Sequence, residues 1–100
     1  MSSGVFEALA DPHRRAILER LCQGECSVGA LAEELPISRP AVSRHLRLLS
    51  GAGLVVSQPR GTQRLYRLHD EGMETAKAYL ESVWGEAARR FVLTAENTPE

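Results

Sequence analysis

Two amphipathic segments of this chain are separated by only a few residues, and this spacing constrains the fold more than any other feature. Ser27 precedes the first segment, residues 28–35, and Ser38 precedes the second, residues 39–51. A serine hydroxyl at such a position accepts a hydrogen bond from a free backbone N–H at a helix start. Pro36 breaks the first helix. The pattern therefore predicts two helices joined by a tight turn, as in a helix-turn-helix unit.

The rest of the chain predicts three more helices and one β-hairpin. A length of 100 residues fits a single domain, which we place over residues 1–100. We expect helices at residues 4–9, 12–21 and 70–95, the last two capped by Asp11 and Asp70, and strands at 54–57 and 63–69 around a turn at 58–62. The predicted fold class is mainly α with a small β-hairpin, that is, a winged helix-turn-helix with five helices.

Charge is distributed unevenly along the chain, although the formal net charge is only −1. Residues 35–69 contain six arginines and no acidic residue, whereas the flanking residues contain the other six basic residues and all 13 acidic ones. The middle segment therefore carries +6 and the flanks carry −7. Such segregation indicates a basic functional surface on an acidic body, and double-stranded DNA is the expected partner.

The helix predicted at residues 39–51 has two chemically different faces. At about 100° per residue, Val42, Leu46 and Leu49 share one face, which we assign to the core. The opposite side carries cations and no carboxylate, whereas the surface of a merely solvated helix usually mixes both signs. From this side we predict DNA contacts by Arg39, Pro40, Ser43, Arg44 and Arg47.

These residues are expected to have different roles. A guanidinium can bond guanine O6 and N7 together, so Arg44 is predicted to read a base edge. Arg39 and Arg47 are predicted to bind phosphates, while Pro40 and Ser43 are short enough to let the helix approach closely. His45 lies at the margin of the core face and is predicted to be structural.

The predicted hairpin carries basic residues at its tip. Arg60, Gly61 and Thr62, followed by Arg64, form a basic finger suited to the backbone or to a narrow minor groove, where the negative potential is concentrated. Basic residues also protect exposed edge strands. DNA contact by all four residues is favoured because the helix and the hairpin are basic together.

The chain resembles the ArsR-type (arsenic-repressor-like) winged helix-turn-helix regulators from about Val5 to Phe91. The resemblance rests on ALADPHRRAILERL, SVGALAEELPISRPAVSRHLRLLSGAGLV and RGTQRLYRL together, and the final helix is similar to that of metal-independent members. The resemblance implies a homodimeric repressor of palindromic operator DNA, dimerising through its first and last helices. The residues assigned to that interface are Val5, Phe6, Leu9, Leu80, Val83, Trp84, Ala87 and Phe91.

The metal ligands of sensing members do not match. Their ELCVCDL pattern corresponds here to ECSVGAL, with Ser27 and Gly29 at the ligand positions and Cys26 one residue early. A second family site uses Asp and His pairs on the final helix, yet no histidine follows His69 and Asp70. We therefore expect no regulatory metal at these positions and no cofactor.

Cys22 and Cys26, four residues apart across Gly24, leave two interpretations open. One is a redox-responsive repressor that forms a disulfide when the Cα atoms come within about 6 Å. The other is a pair of small apolar residues that are buried or half-buried, as free cysteines often are.

Other function classes fit less well. No constellation of nucleophile and base, phosphate-binding glycine loop or carboxylate pair indicates an enzyme. A winged-helix adaptor for protein partners remains an alternative, although such adaptors typically lack this charge asymmetry. With no apolar run of membrane-spanning length and no signal-peptide pattern, we expect a cytoplasmic protein without membrane contact. The sequence does not indicate a small-molecule effector.

Overall fold

The structure, a computed structural model, describes residues 4–90. The elements in chain order are α1 (Gly4–Leu9), α2 (Pro12–Leu21), β1 (Cys26–Ser27), α3 (Val28–Glu34), α4 (Arg39–Gly51), β2 (Val55–Arg60), β3 (Gln63–Leu68) and α5 (Asp70–Leu80). A π-helical turn over Glu81–Gly85 continues α5, and α-helix resumes over 86–90. The predicted helix end near Ala95 lies outside the described residues. Among residues 4–90, no helix is both long and apolar enough to cross a membrane.

Three of the four predicted helix caps are present. The Asp11 carboxylate accepts hydrogen bonds from the backbone N–H groups two and three residues further on, at 2.8 and 3.1 Å. The hydroxyls of Ser27 and Ser38 each accept one from the N–H three residues further on, at 3.2 and 3.3 Å. The prediction for Asp70 was wrong, because His69 is the capping residue of α5 and makes no side-chain cap bond. Asp70 lies instead in the first helical turn, where its negative charge interacts favourably with the positive end of the helix dipole.

The sheet has three antiparallel strands in the order β1-β3-β2, one more than the sequence predicted. In the added strand Cys26 pairs with Tyr66 and Ser27 with Leu65. A strand of two residues shows no alternation of polar and apolar side chains, so its pairing with β3 was not predictable from the local pattern. It places the loop before α3 alongside the hairpin.

The hairpin turn is shorter than predicted. Gln58, Pro59 and Arg60 belong to β2, and the register pairs Arg60 with Gln63. Only Gly61 and Thr62 make the turn, and Gly61 has the positive φ of 64° that glycine adopts without strain. Pro59 lies in the segment predicted as a turn, yet it is tolerated in β2, because β2 is an edge strand and does not need every N–H as a donor.

One apolar core packs the four helices α1, α2, α3 and α4 against the sheet. Its members are Val5, Ala8, Ile17, Leu21, Cys26, Leu31, Val42, Leu46, Leu49, Leu54 and Val55. The core side predicted for α4 is thus confirmed, since Val42, Leu46 and Leu49 are each 0% exposed.

The start of α5 meets the end of α4 at two glycines. The Gly72 N–H donates to the Gly53 carbonyl at 2.7 Å. A Cβ on Gly72 would lie 2.8 Å from the backbone oxygen of Ala52 and 2.7 Å from a methyl of Leu54. Only a glycine allows this approach, which fixes the direction in which the final helix leaves the body of the protein.

Candidate nucleic-acid interface

Helix α4 has one buried and one exposed face. Pro40, Arg44 and Arg47 are exposed, as is Arg39 at the helix start, whereas Ser43 is half-buried. Since α4 follows the predicted helical phase, its cations point away from the core. The structure therefore places the five predicted contact residues on the solvent side and its margin.

Arg39 lies against the start of α3. Its guanidinium covers Gly29 so closely that a Cβ on that glycine would come within 2.7 Å of the arginine Nη2. The arginine at the start of α4 therefore packs against the first turn of α3.

Arg47 lies at a groove between α4 and α1. It lines this groove together with Glu7, Arg14 and Leu48. Leu48 is 52% exposed, and the sequence did not single it out. In the helical phase of α4, Leu48 lies outside the core side that Val42, Leu46 and Leu49 form. This position was the signal in the sequence that could have identified Leu48 as exposed.

The tip of the hairpin is exposed, but it is not free of acid. Arg60 Nη2 lies 3.6 Å from Glu25 Oε1, with both side chains open to solvent. The sequence missed this pair because β1 brings the loop containing Glu25 beside β2 and β3 only in the folded chain. An exposed ion pair of this kind contributes about 0–1 kcal/mol. Arg64 donates from Nε to the Ser57 hydroxyl at 3.1 Å, which orients it across the hairpin.

The cations of α4 differ from Arg60. Within residues 4–90 no carboxylate lies within 4.0 Å of the guanidinium of Arg39, Arg44 or Arg47. By contrast, Arg20 of α2 forms an ion pair with Glu34 of α3 at 2.6 Å. The α4 face thus keeps its positive charge available to an anionic partner.

Within residues 4–90, neither Arg14 nor Arg15 has a carboxylate within 4.0 Å of its guanidinium. Arg14 donates to the carbonyls of Ala8 and Glu7 at 2.8 and 3.1 Å, and Arg15 donates to that of Leu9 at 2.7 Å. These carbonyls lie at the end of α1, where C=O groups lack a partner inside the helix. The carbonyl of Glu7 also accepts a hydrogen bond from the N–H of Ala10 at 3.2 Å. Both arginines therefore hold α1 to α2.

His45 is a core residue of α4, as predicted. It is 8% exposed, and burial lowers the pKa of its imidazole below the usual 6.5. Its Nδ1 lies 3.4 Å from Arg14 Nη1, so the arginine that holds α1 also reaches α4.

The two cysteines lie in different environments. Cys22 is exposed and Cys26 is 4% exposed in β1. Burial raises the pKa of the Cys26 thiol and disfavours the thiolate that disulfide chemistry requires. The structure gives no support to the redox interpretation.

The residues assigned to the dimer interface differ in their exposure. Val5 is 2% exposed and packs inside its own protomer, so it leaves no surface for a partner. Leu9 is half-buried. The others in the described part are exposed, namely Phe6, Leu80, Val83, Trp84 and Ala87, whereas Phe91 lies outside the described residues. Val83 and Trp84 belong to the π-helical turn, which interrupts the continuous helix predicted over residues 70–95.

Comparison with known proteins agrees with this architecture. A helix-turn-helix domain model matches residues 9–58. The HTH-type transcriptional regulator Rv2034 of Mycobacterium tuberculosis is 49% identical over 82 residues, which cover 82% of this chain and 77% of the relative. An ArsR-like transcriptional regulator from Rhodococcus has a solved structure with a TM-score of 0.80 and 34% identity, covering 97% of this chain and 92% of that one. The chain belongs to the ArsR-type family of helix-turn-helix transcriptional regulators.

Two further relatives of this ArsR-type regulator bear on its function. The transcriptional repressor SdpR of Bacillus subtilis is 37% identical over 67 residues, which cover 67% of this chain and 74% of the relative. A homodimeric winged helix-turn-helix DNA-binding domain from Mycobacterium bovis has a TM-score of 0.68 and 32% identity, covering 88% of this chain and 82% of that one. The family places the chain among DNA-binding regulators rather than enzymes.

Proposed function

We propose that this chain is a repressor that binds a palindromic operator in the cytoplasm as a homodimer. The observation that carries the proposal is the solvent face of α4, where exposed arginines without an acidic partner in the described chain lie opposite a fully buried face. The names of the two relatives support it, one as a repressor and the other as a homodimeric DNA-binding domain.

In this proposal α4 enters the major groove and α3 braces it. Arg44 reads a guanine through two parallel hydrogen bonds. Arg39 and Arg47, at the two ends of the exposed face, bind phosphates and set the orientation of the helix. Pro40 and Ser43 permit the close approach.

The hairpin acts as the wing in this proposal. Arg60, Gly61, Thr62 and Arg64 contact the neighbouring minor groove or its backbone. The Glu25 carboxylate reduces the charge of Arg60, so we assign the larger electrostatic contribution of the wing to Arg64.

Dimerisation covers the apolar residues that α1 and the final helix leave in solvent. Phe6 is 39% exposed, Leu80 46%, Val83 42% and Trp84 60%, and large exposed apolar patches mark interaction sites. Two α4 helices related by a two-fold axis then read half-sites about 10 base pairs apart, or a multiple of that.

The roles are separated by three arginine-to-alanine variants, measured by fluorescence anisotropy on the duplex that the protein protects in its own genomic neighbourhood and on a random duplex. Arg44→Ala is expected to cost about 1–3 kcal/mol per half-site on the protected duplex and to relax base preference. Arg64→Ala is expected to weaken binding to both duplexes equally. The matched control is Arg67→Ala, which removes the same charge from β3 at its far end, opposite Val56 and away from the tip.

An Arg44→Ala variant that weakens both duplexes alike, together with an Arg64→Ala variant that loses sequence preference, would mean that the two roles are exchanged. Wild-type protein that binds neither duplex would exclude the proposed function.

A further inference from the structure

Three potential metal ligands meet where the start of α2 packs against α4. Asp11, His13 and His45 each offer one ligand atom, and these atoms all lie within 4.8 Å of one another. We propose that Asp11, His13 and His45 form a site for a divalent transition-metal ion of the zinc class. The site is distinct from the two positions that the sequence excluded, and it does not depend on DNA binding.

The donor set suits this class of ion. Imidazole nitrogens and a carboxylate oxygen are zinc ligands at about 2.0–2.2 Å, and three protein ligands leave the fourth position to water. Ligand atoms around one ion lie closer together than the 4.8 Å limit within which these three atoms fall, so a small inward movement of one side chain completes the site. His13 is exposed, and its ring centroid is 5.9 Å from that of His45, which makes it the side chain able to close on the ion.

The surrounding structure holds two of the ligands in place. The Asp11 carboxylate accepts hydrogen bonds from the backbone N–H groups of His13 and Arg14 at 2.8 and 3.1 Å. The His45 side chain is 8% exposed and is buried in α4. Two of the three ligands are therefore fixed by the fold before an ion binds.

Arg14 is the group that opposes the ion. Its Nη1 is 3.4 Å from His45 Nδ1, at the long end of the range for a hydrogen bond. Metal binding opens this contact, while Arg14 keeps its bonds to the Ala8 and Glu7 carbonyls. The ion thereby replaces a single long hydrogen bond with three ligand bonds between α2 and α4.

The test is titration of ZnCl2 into chelator-treated, tag-free full chain, followed by calorimetry and by thermal unfolding. We expect one ion per chain and a higher Tm, because a ligand that binds only the folded state stabilises it. Asp11→Asn retains the helix cap but loses the anionic oxygen. His13→Ala changes only an exposed side chain. Each is expected to weaken zinc affinity at least about tenfold, the lower end of what loss of even a supporting group costs a metal site.

His69→Ala is the matched control, because His69 is an exposed histidine outside the cluster. It is expected to leave both zinc affinity and the rise in Tm unchanged. Circular dichroism of the zinc-free variants shows whether each retains the fold.

Three results would overturn the proposal. The first is wild-type protein that binds no zinc. The second is zinc binding that survives both His13→Ala and Asp11→Asn. The third is a thiolate-to-cobalt charge-transfer absorption when CoCl2 is used in place of ZnCl2. Such an absorption would show that Cys22 or Cys26 is the ligand instead.

Discussion

Arg14 and Arg44 carry the same side chain in opposite surroundings. Arg14 satisfies carbonyls at the end of α1 and reaches His45, whereas Arg44 is exposed and has no acidic partner among residues 4–90. The exposure of Arg44 was predictable, because it follows from the phase of a single helix. The partners of Arg14 were not, because they depend on how α1 packs against α2.

The two cysteines give a prediction at this scale. Cys26 is buried and the pKa of its thiol is raised, whereas Cys22 is exposed. With a chromogenic disulfide reagent at neutral pH, we expect one thiol per folded chain to react quickly and the second to react only after unfolding in denaturant. The Cys22→Ser variant should then show no fast phase.

If both thiols of the folded protein react at the same rate, the burial of Cys26 is not maintained in solution. A disulfide between Cys22 and Cys26 that forms without loss of the fold would restore the redox interpretation.

The helices and the hairpin strands were within reach of sequence reasoning because their signals are local. Asp11, Ser27 and Ser38 act on N–H groups two or three residues away, and helical periodicity identifies the core side of α4. β1 was missed because its partner β3 lies about forty residues further along the chain. The pair between Arg60 and Glu25 was missed for the same reason, so the local charge of the wing tip was overestimated.

The junction of α4 and α5 gives a prediction at the scale of elements. Gly72→Ala places a Cβ against the backbone of Ala52 and the side chain of Leu54, so we expect it to lower the free energy of unfolding by about 1–3 kcal/mol. Gly51→Ala is the matched control, because a Cβ there meets nothing within 4 Å and alanine favours helix. It should raise the free energy of unfolding by up to about 1 kcal/mol.

Urea unfolding followed by circular dichroism measures both changes. Equal effects of the two substitutions would show that the close approach of Gly72 to α4 does not contribute to stability.

The whole molecule combines a basic face, formed by α4 and the wing, with apolar side chains left exposed on α1 and the final helix. The charge segregation along the sequence predicted the first, because α4 and the hairpin lie within the segment that lacks acidic residues. The exposed apolar side chains of α1 and the final helix were predicted only in part. Val5 turned inward to the core, and the π-helical turn changes the phase at Val83 and Trp84.

The dependence of DNA affinity on salt tests the proposed complex most directly. If each protomer of a dimer neutralises about three or four phosphates, log affinity should fall against log salt with a slope of about −5 to −7. Leu80→Glu places a charge on the exposed apolar surface of the final helix, and a monomer produced in this way should give about half that slope. A slope near zero for the wild-type protein would contradict the account.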